Sequence, residues 1–216
     1  MNQYYPFEVV PLPYSYLSMI PCCDANTLYF HHNQYYQSAV DRLNQLVVQH
    51  RLTHLSLEEL LTADINLPVA QVEQIQDAAG AVYNHQLYFD SITPAPVFSP
   101  HSPLAEKLTS TYGSIHHFFQ LLTEAAASIH GSGWLWLVSE GTGDLHLVTT
   151  KDNQTVPLSS VHPIFLIDLW EHAYSVHHHF DLNAYLLAWL SNLDWQKANQ
   201  RFLSAHALRP PPAPLR

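Results

Sequence analysis

Charge is scarce in this chain of 216 residues: Asp, Glu, Lys and Arg together make up 12%, against roughly 25% in an average soluble domain. Lys and Arg number 8 against 18 Asp and Glu, a formal net charge of −10 at pH 7. So few cations cannot build a broad basic surface, which argues against a nucleic-acid partner. Cysteine is scarcer still, with Cys22 and Cys23 alone and adjacent. Neighbouring residues meet disulfide geometry poorly, so a reducing compartment, the cytoplasm, is the expectation, with both thiols as small buried apolar groups rather than a soft-metal pair. No run of about 18 apolar residues occurs, so no membrane partner is expected. The opening Met1-Asn2-Gln3-Tyr4-Tyr5-Pro6 has no basic stretch followed by an apolar one, the mark of a standard export signal.

Apolar residues and histidine are plentiful. Hydrophobic residues reach 47%, too many for a disordered chain, and the length suffices to bury a core without metal or disulfide. The 16 histidines are twice the Lys and Arg count. They either carry chemistry or titrate as a group.

Two helical stretches come first. Asp24 reads as an N-cap ahead of Leu28, His32, Tyr35, Ala39, Leu43, Leu46 and Val47, spaced by three and four. Ser56-Leu57-Glu58-Glu59 reads as a capping box for a short helix. After Pro68 the spacing resumes through Val69, Val72, Ile75, Ala78, Val82, His85 and Phe89, which predicts an antiparallel helical hairpin. The Pro- and Ser-rich stretch from Ile92 to Pro103 marks a boundary, giving a hairpin domain at 1–92 and a second domain at 93–216. The second domain is expected to hold a helix over 104–129 broken near Gly113, then a three-stranded antiparallel sheet. Its strands are Trp134 to Val138, Leu145 to Thr149 and Ile164 to Ile167, the first two joined by a hairpin at Gly141-Thr142-Gly143-Asp144. Helical spacing through Tyr174, Val176, Leu186, Trp189 and Leu193 follows, and the Pro-rich 209–216 reads as a disordered tail. The fold class is α+β.

Asp168-Leu169-Trp170-Glu171-His172 carries the clearest chemistry. A carboxylate closing an apolar strand, with an imidazole four positions on, can aim two ligand atoms at one point, a donor mix suited to Mn, Fe or Zn. An ionised Asp inside so apolar a stretch is costly unless paired or metal-bound. His31 and His85 lie on the two hairpin helices, His85 on the apolar face with Ile75, Ala78 and Val82.

Five stretches, in order, resemble those of the iron/manganese superoxide dismutase family over almost the whole chain. They are Leu12-Pro13-Tyr14; Asp24-Ala25-Asn26-Thr27 with His31-His32; Tyr83-Asn84-His85; Gly131-Ser132-Gly133-Trp134-Leu135-Trp136-Leu137-Val138; and Asp168-Leu169-Trp170-Glu171-His172-Ala173-Tyr174. The resemblance implies that His31, His85, Asp168 and His172 hold one Mn or Fe ion per subunit. It also implies that superoxide is disproportionated there to dioxygen and hydrogen peroxide. Asn153-Gln154 is similar to the hairpin form of the family, in which a glutamine hydrogen-bonds solvent at the metal, so Gln154 is the candidate for that role and manganese is slightly favoured. Leu166 points the other way, standing where manganese members carry Gly and iron members Thr. By the same resemblance Trp134, Trp136, Trp170, Glu171 and Tyr174 surround the site, and Glu171 reaches across the two-fold interface of a homodimer.

The chain departs from the family at the mouth of the site. Tyr35 stands where relatives place a His and Ala39 where they place a gateway Tyr. Alanine donates no proton, and a phenol is not equivalent to imidazole, so Tyr35 either accepts the proton-relay role or packs against Tyr174. Gln34 replaces a steering Lys, and His177-His178-His179 stands where relatives are basic. That run either substitutes when protonated or forms a solvated surface. Superoxide dismutation is thus the leading expectation; the alternative is a non-catalytic or weakly active metal-binding dimer of the same fold.

Overall fold

The computed structural model describes residues 4–207; the expected tail at 209–216 lies outside them. Asp24 Oδ1 accepts from Thr27 N at 2.7 Å, so helix α1 (Ala25–Phe30) starts where the sequence places its cap. α1 passes without a break into a π-helical turn at His31–Tyr36 and then α2 (Gln37–Gln49). Such a turn accommodates an extra residue and shifts the face that follows. His31, His32 and Tyr36 are therefore buried, while Asn33, Gln34 and Tyr35 face outward. Val40, Leu43 and Val47 continue the buried stripe. Ser56 and Glu59 make both halves of the capping box that starts α3 (Leu57–Thr62). The 22-residue α4 (Val69–Asp90) packs on α2 and completes the helical hairpin.

α5 (Pro103–Tyr112) and α6 (Ile115–Ala127) follow the linker. Gly113 separates them at φ 84°, a conformation that ends a helix at little cost to glycine alone. The sheet has order β2-β1-β3, built from β1 (Gly133–Glu140), β2 (Leu145–Lys151) and β3 (Val161–Asp168). Both pairings are antiparallel. β1 is central and buried from Gly133 to Ser139, which explains a continuous apolar run instead of an alternating one. α9 (Trp195–Ala207) crosses behind the sheet. Its Arg201 donates to Ile164 O at 2.9 Å. Arg201 and Lys197 both pair with Asp90 at the end of α4, so α9 ties β3 to the hairpin.

The periodicity that predicted one helical stretch from Tyr174 to Leu193 is interrupted. Only α7 (Glu171–Tyr174) and α8 (Leu182–Ser191) are α-helical there. His179 and Phe180 sit at φ 50° and 63°, in the left-handed region that a right-handed helix cannot contain. Val176, counted in the apolar stripe, is exposed. Asp181 restarts the helix by accepting from Ala184 N at 2.9 Å. A continuous core joins both halves, from Leu43 and Val82 in the hairpin to Trp136, Phe165 and Trp189. Among the described residues no helix is long and apolar enough to cross a membrane.

Candidate metal centre

Four elements meet at one point. The π-helical turn brings His31, the last two turns of α4 bring His85, β3 ends on Asp168, and α7 begins with Glu171 and His172. One ligand atom from each of His31, His85, Asp168 and His172 lies within 4.8 Å of the other three. Asp168 Oδ2 is 3.1 Å from His31 Nε2 and 3.2 Å from His172 Nε2. The other carboxylate oxygen, Oδ1, accepts from Trp170 N at 2.7 Å. That bond turns the carboxylate so that Oδ2 points inward.

The histidine ring atoms carry the chemical argument. His85 Nδ1 donates to Ala81 O at 2.7 Å; a carbonyl only accepts, so the proton is on Nδ1 and the Nε2 lone pair faces the cluster. That Nε2 is buried without a hydrogen-bond partner, and His31 Nε2, although near Asp168, also lacks hydrogen-bond geometry. Two orphaned ring nitrogens beside a fully buried carboxylate are expensive as they stand. A bound cation relieves both costs at once.

Electrostatics agree. Burial pulls the His31 imidazole down from 6.5 to about 4 and the His85 imidazole to about 3, so both are neutral at pH 7, the form in which an imidazole can bind a metal. Burial pushes Asp168 up, but the charge and hydrogen bond of His172 and those of His31 overcome it and hold the carboxyl well below the usual carboxylate range. One carboxylate and three imidazoles suit Mn, Fe or Zn rather than Cu(I) or Ca.

An aromatic wall encloses the cluster. Tyr88 and Phe89 lie 5.0 and 4.9 Å from the His31 ring. Trp134 meets His85 edge-on at 5.2 Å, and Trp170 is 5.7 Å from His172. Trp136, also buried, donates from Nε1 to Thr150 Oγ1 at 2.9 Å and so locks β1 to β2. Tyr35 is not against Tyr174. It stacks on His172 at 4.3 Å and 16°, half exposed, while Tyr174 stacks on Tyr185 at 5.5 Å. The π-helical turn gives the reason: it swings Tyr35 outward over the imidazole. Ala39 is half-buried against the core and Glu171 is exposed.

Gln154 stands apart. It is exposed, lines a surface depression with Leu61 and Asp77, and its side-chain amide makes no hydrogen bond among the described residues. α4 approaches the loop after β2 closely. A Cβ on Gly80 would lie 2.0 Å from Asn153 O, and the buried Asn84 amide lies beside the backbone carbonyls of Asn153 and Gln154.

The histidine run is neither free nor wholly solvated. His177 Nε2 donates to Pro21 O at 3.2 Å and His178 Nε2 to Cys22 O at 2.7 Å, pinning the approach to α1. Cys22 and Cys23 are free and buried. Sequence reasoning missed Tyr36, which stacks on His85 at 5.7 Å and 8°. Its only signal was an aromatic five positions beyond His31, out of step with an α-helix. Reasoning also missed the bonding of Asn84, visible only as the residue beside His85.

An α+β chain that gathers three imidazoles and one carboxylate at one point carries the donor set of the redox-metal proteins. Residues 6–93 match the model of the iron/manganese superoxide dismutase alpha-hairpin domain and residues 100–201 that of the family's C-terminal domain. The chain belongs to the iron/manganese superoxide dismutase family and is an enzyme of that class. It is 31% identical over 203 residues, 93% of this chain and 82% of the relative, to Superoxide dismutase (Mn) 1 of Leptolyngbya boryana. It is 31% identical to Superoxide dismutase (Fe) of Pseudoalteromonas translucida, covering 91% of this chain and 99% of the relative. To Superoxide dismutase (Mn/Fe) 2 of Staphylococcus aureus it is 30% identical, covering 92% and 98%.

Proposed function

We propose that the protein disproportionates superoxide to dioxygen and hydrogen peroxide at one Mn or Fe ion held by His31, His85, Asp168 and His172. The observation that carries this reading is the convergence of the four ligand atoms within 4.8 Å, with the His85 lone pair turned inward. Bound there, the metal supplies the one-electron redox chemistry. The chain's own residues hold its charge and exclude bulk water. Asp168 provides the one anionic ligand, its orientation set by Trp170 N. Ala81 O fixes the His85 tautomer, and Tyr88, Phe89 and Trp134 keep the imidazoles dry and neutral.

Tyr35 is assigned to the mouth. Its half-exposed ring lies flat on His172, so its hydroxyl is the chain's candidate for passing protons toward the site where relatives use a His. Gln154 keeps only an outer role in this reading, since its side chain faces solvent. Relatives named for Mn, for Fe and for both leave either ion compatible, and manganese is the form to load first.

The reading includes a homodimer and a division of the chain near residue 92. What supports the dimer is the apolar surface left beside the site on α1 and around α7: Tyr29, Phe30, Tyr35, Val176 and Phe180 are all exposed. Two free buried thiols fit a reducing compartment such as the cytoplasm.

The test is superoxide dismutation by protein loaded separately with Mn and Fe, beside an active relative, with His172→Ala as the control. The expected result is activity in at least one wild-type form and none in the variant, its fold intact by circular dichroism. Metal-loaded wild type inactive in both forms would sink the proposal and favour a structural metal-binding role.

A further inference from the structure

Trp134 is fully buried, and its indole N–H has one acceptor among the described residues: the Asn84 side-chain oxygen at 3.1 Å, while the Asn84 nitrogen donates to Gly80 O at 3.1 Å. The amide orientation follows from this network. The reverse one points an N–H at an N–H and gains only contacts of 3.4 and 3.5 Å to Asn153 O and Gln154 O. Asn84 is itself fully buried and immediately precedes His85 on α4. Trp134 sits on β1 directly opposite Asp168 on β3, with its ring 5.2 Å from His85 at 81°. One amide therefore spans the helix that brings one ligand and the strand beside another.

We propose that Asn84 is a positioning residue of the metal centre: by taking the Trp134 N–H it holds the indole edge against His85 and fixes the tilt at which that imidazole presents Nε2. The inference rests on His85 being a ligand. Ala81 O restrains His85 at Nδ1 and Tyr36 stacks on its ring; the indole, nearly perpendicular to the imidazole, restrains it in a further direction. Gly80 is part of the arrangement, since its lack of a side chain lets the loop at Asn153 close over Asn84.

Non-additivity distinguishes this role from ordinary packing. Replacing Asn84 alone strands a buried N–H, whereas replacing both partners by apolar groups of similar shape removes the unmet donor. The experiment compares wild type, Asn84→Leu, Trp134→Phe and the double variant in two ways: Mn(II) affinity by chelator competition, and the visible absorption band of bound Co(II), which reports ligand geometry. Asn84→Leu is expected to weaken Mn(II) binding about tenfold or more, the scale for groups that orient a metal ligand, and to shift the Co(II) band. The double variant should bind no more weakly than the leucine single, since both break the same contact. Equal affinity and an unshifted band in Asn84→Leu overturn the proposal, as does a double variant that returns to the wild-type affinity and band, which traces the loss to the unmet N–H alone. Wild type that takes up neither ion overturns the ligand assignment itself. Should Asn84→Leu not fold, exchange of the Trp134 indole proton in the wild type, identified by its loss in Trp134→Phe, decides: slow exchange supports the bond and fast exchange refutes it.

Discussion

Gly80→Ala sets a local gain against a tertiary cost. In the middle of a 22-residue helix, alanine is intrinsically better than glycine by about 1 kcal/mol. The added methyl would lie 2.0 Å from Asn153 O and 3.2 Å from its carbonyl carbon. Both are backbone atoms, so no flexible side chain can swing away. Ordinary contact requires moving the loop or the helix by more than 1 Å. Overpacking of a well-filled interior typically costs about 1–3 kcal/mol, and a clash with backbone belongs at the upper end. Net destabilisation of about 2 kcal/mol remains, a fall in Tm of about 4–8 °C for a chain of this size. Thermal melts of the metal-free protein would show it, with Gly141→Ala as the control, because no atom lies within 4 Å of a Cβ there. The control should stay within about 0.5 kcal/mol of wild type. A Gly80→Ala variant that melts at or above the wild-type temperature refutes the reasoning, since helix propensity would then outweigh the contact.

Three further outcomes are expected. In metal-free protein, His31 and His85 titrate in the folded state near 4 and 3 against 6.5 when unfolded. The unfolded chain thus binds more protons between those values, and stability is full above pH 6.5 and falls as pH drops through that window, on the order of 2 kcal/mol per histidine between pH 7 and 5; urea midpoints unchanged over that range would contradict the buried neutral rings. Asp168→Asn removes the one anion among the four and should leave a folded protein whose Mn or Fe content by elemental analysis is close to zero; full occupancy would remove Asp168 from the ligand set. Ser56→Ala removes the hydroxyl that accepts from Glu59 N, while the Ser56 backbone N–H can still donate to Glu59 Oε2, and should cost about 1 kcal/mol in urea unfolding without changing metal content.

The parts legible in the sequence were those set by short-range spacing. Asp24 and Ser56 start helices because their side chains reach backbone N–H groups three residues on, a rule that needs no tertiary information. β1 could be recognised from its apolar run, and the clustering of His31, His85, Asp168 and His172 from motifs whose residues stay together along the chain. Tertiary contact decided what could not be read. The π-helical turn inserts its residue to bury both His31 and Tyr36, which no α-helical period anticipates, and so Tyr35 lies over His172 rather than on Tyr174. The stripe expected through Val176 broke because residues 175–181 are held by His177 and His178 on the carbonyls of Pro21 and Cys22. Those two histidines fasten the carbonyls of Pro21 and Cys22, contacts that the sequence did not suggest. Gln154 is exposed, and only its backbone carbonyl lies beside Asn84, 70 positions earlier in the chain, a placement that no local spacing anticipates.

The pins at His177 and His178 also bear on the order in which the protein is made. Each joins residues 156 positions apart, and they close the gap between the segment just before the first ligand and the segment just after the last. Two of the four clustered residues, His31 and His85, are synthesised with the hairpin; Asp168 and His172 emerge only near the end. A chain arrested before β3 can therefore offer two imidazoles and not the Asp168 carboxylate. On the proposed function, a metal held by all four would be captured only at the closing stage of assembly, as a seal on a completed chain rather than a nucleus for its folding.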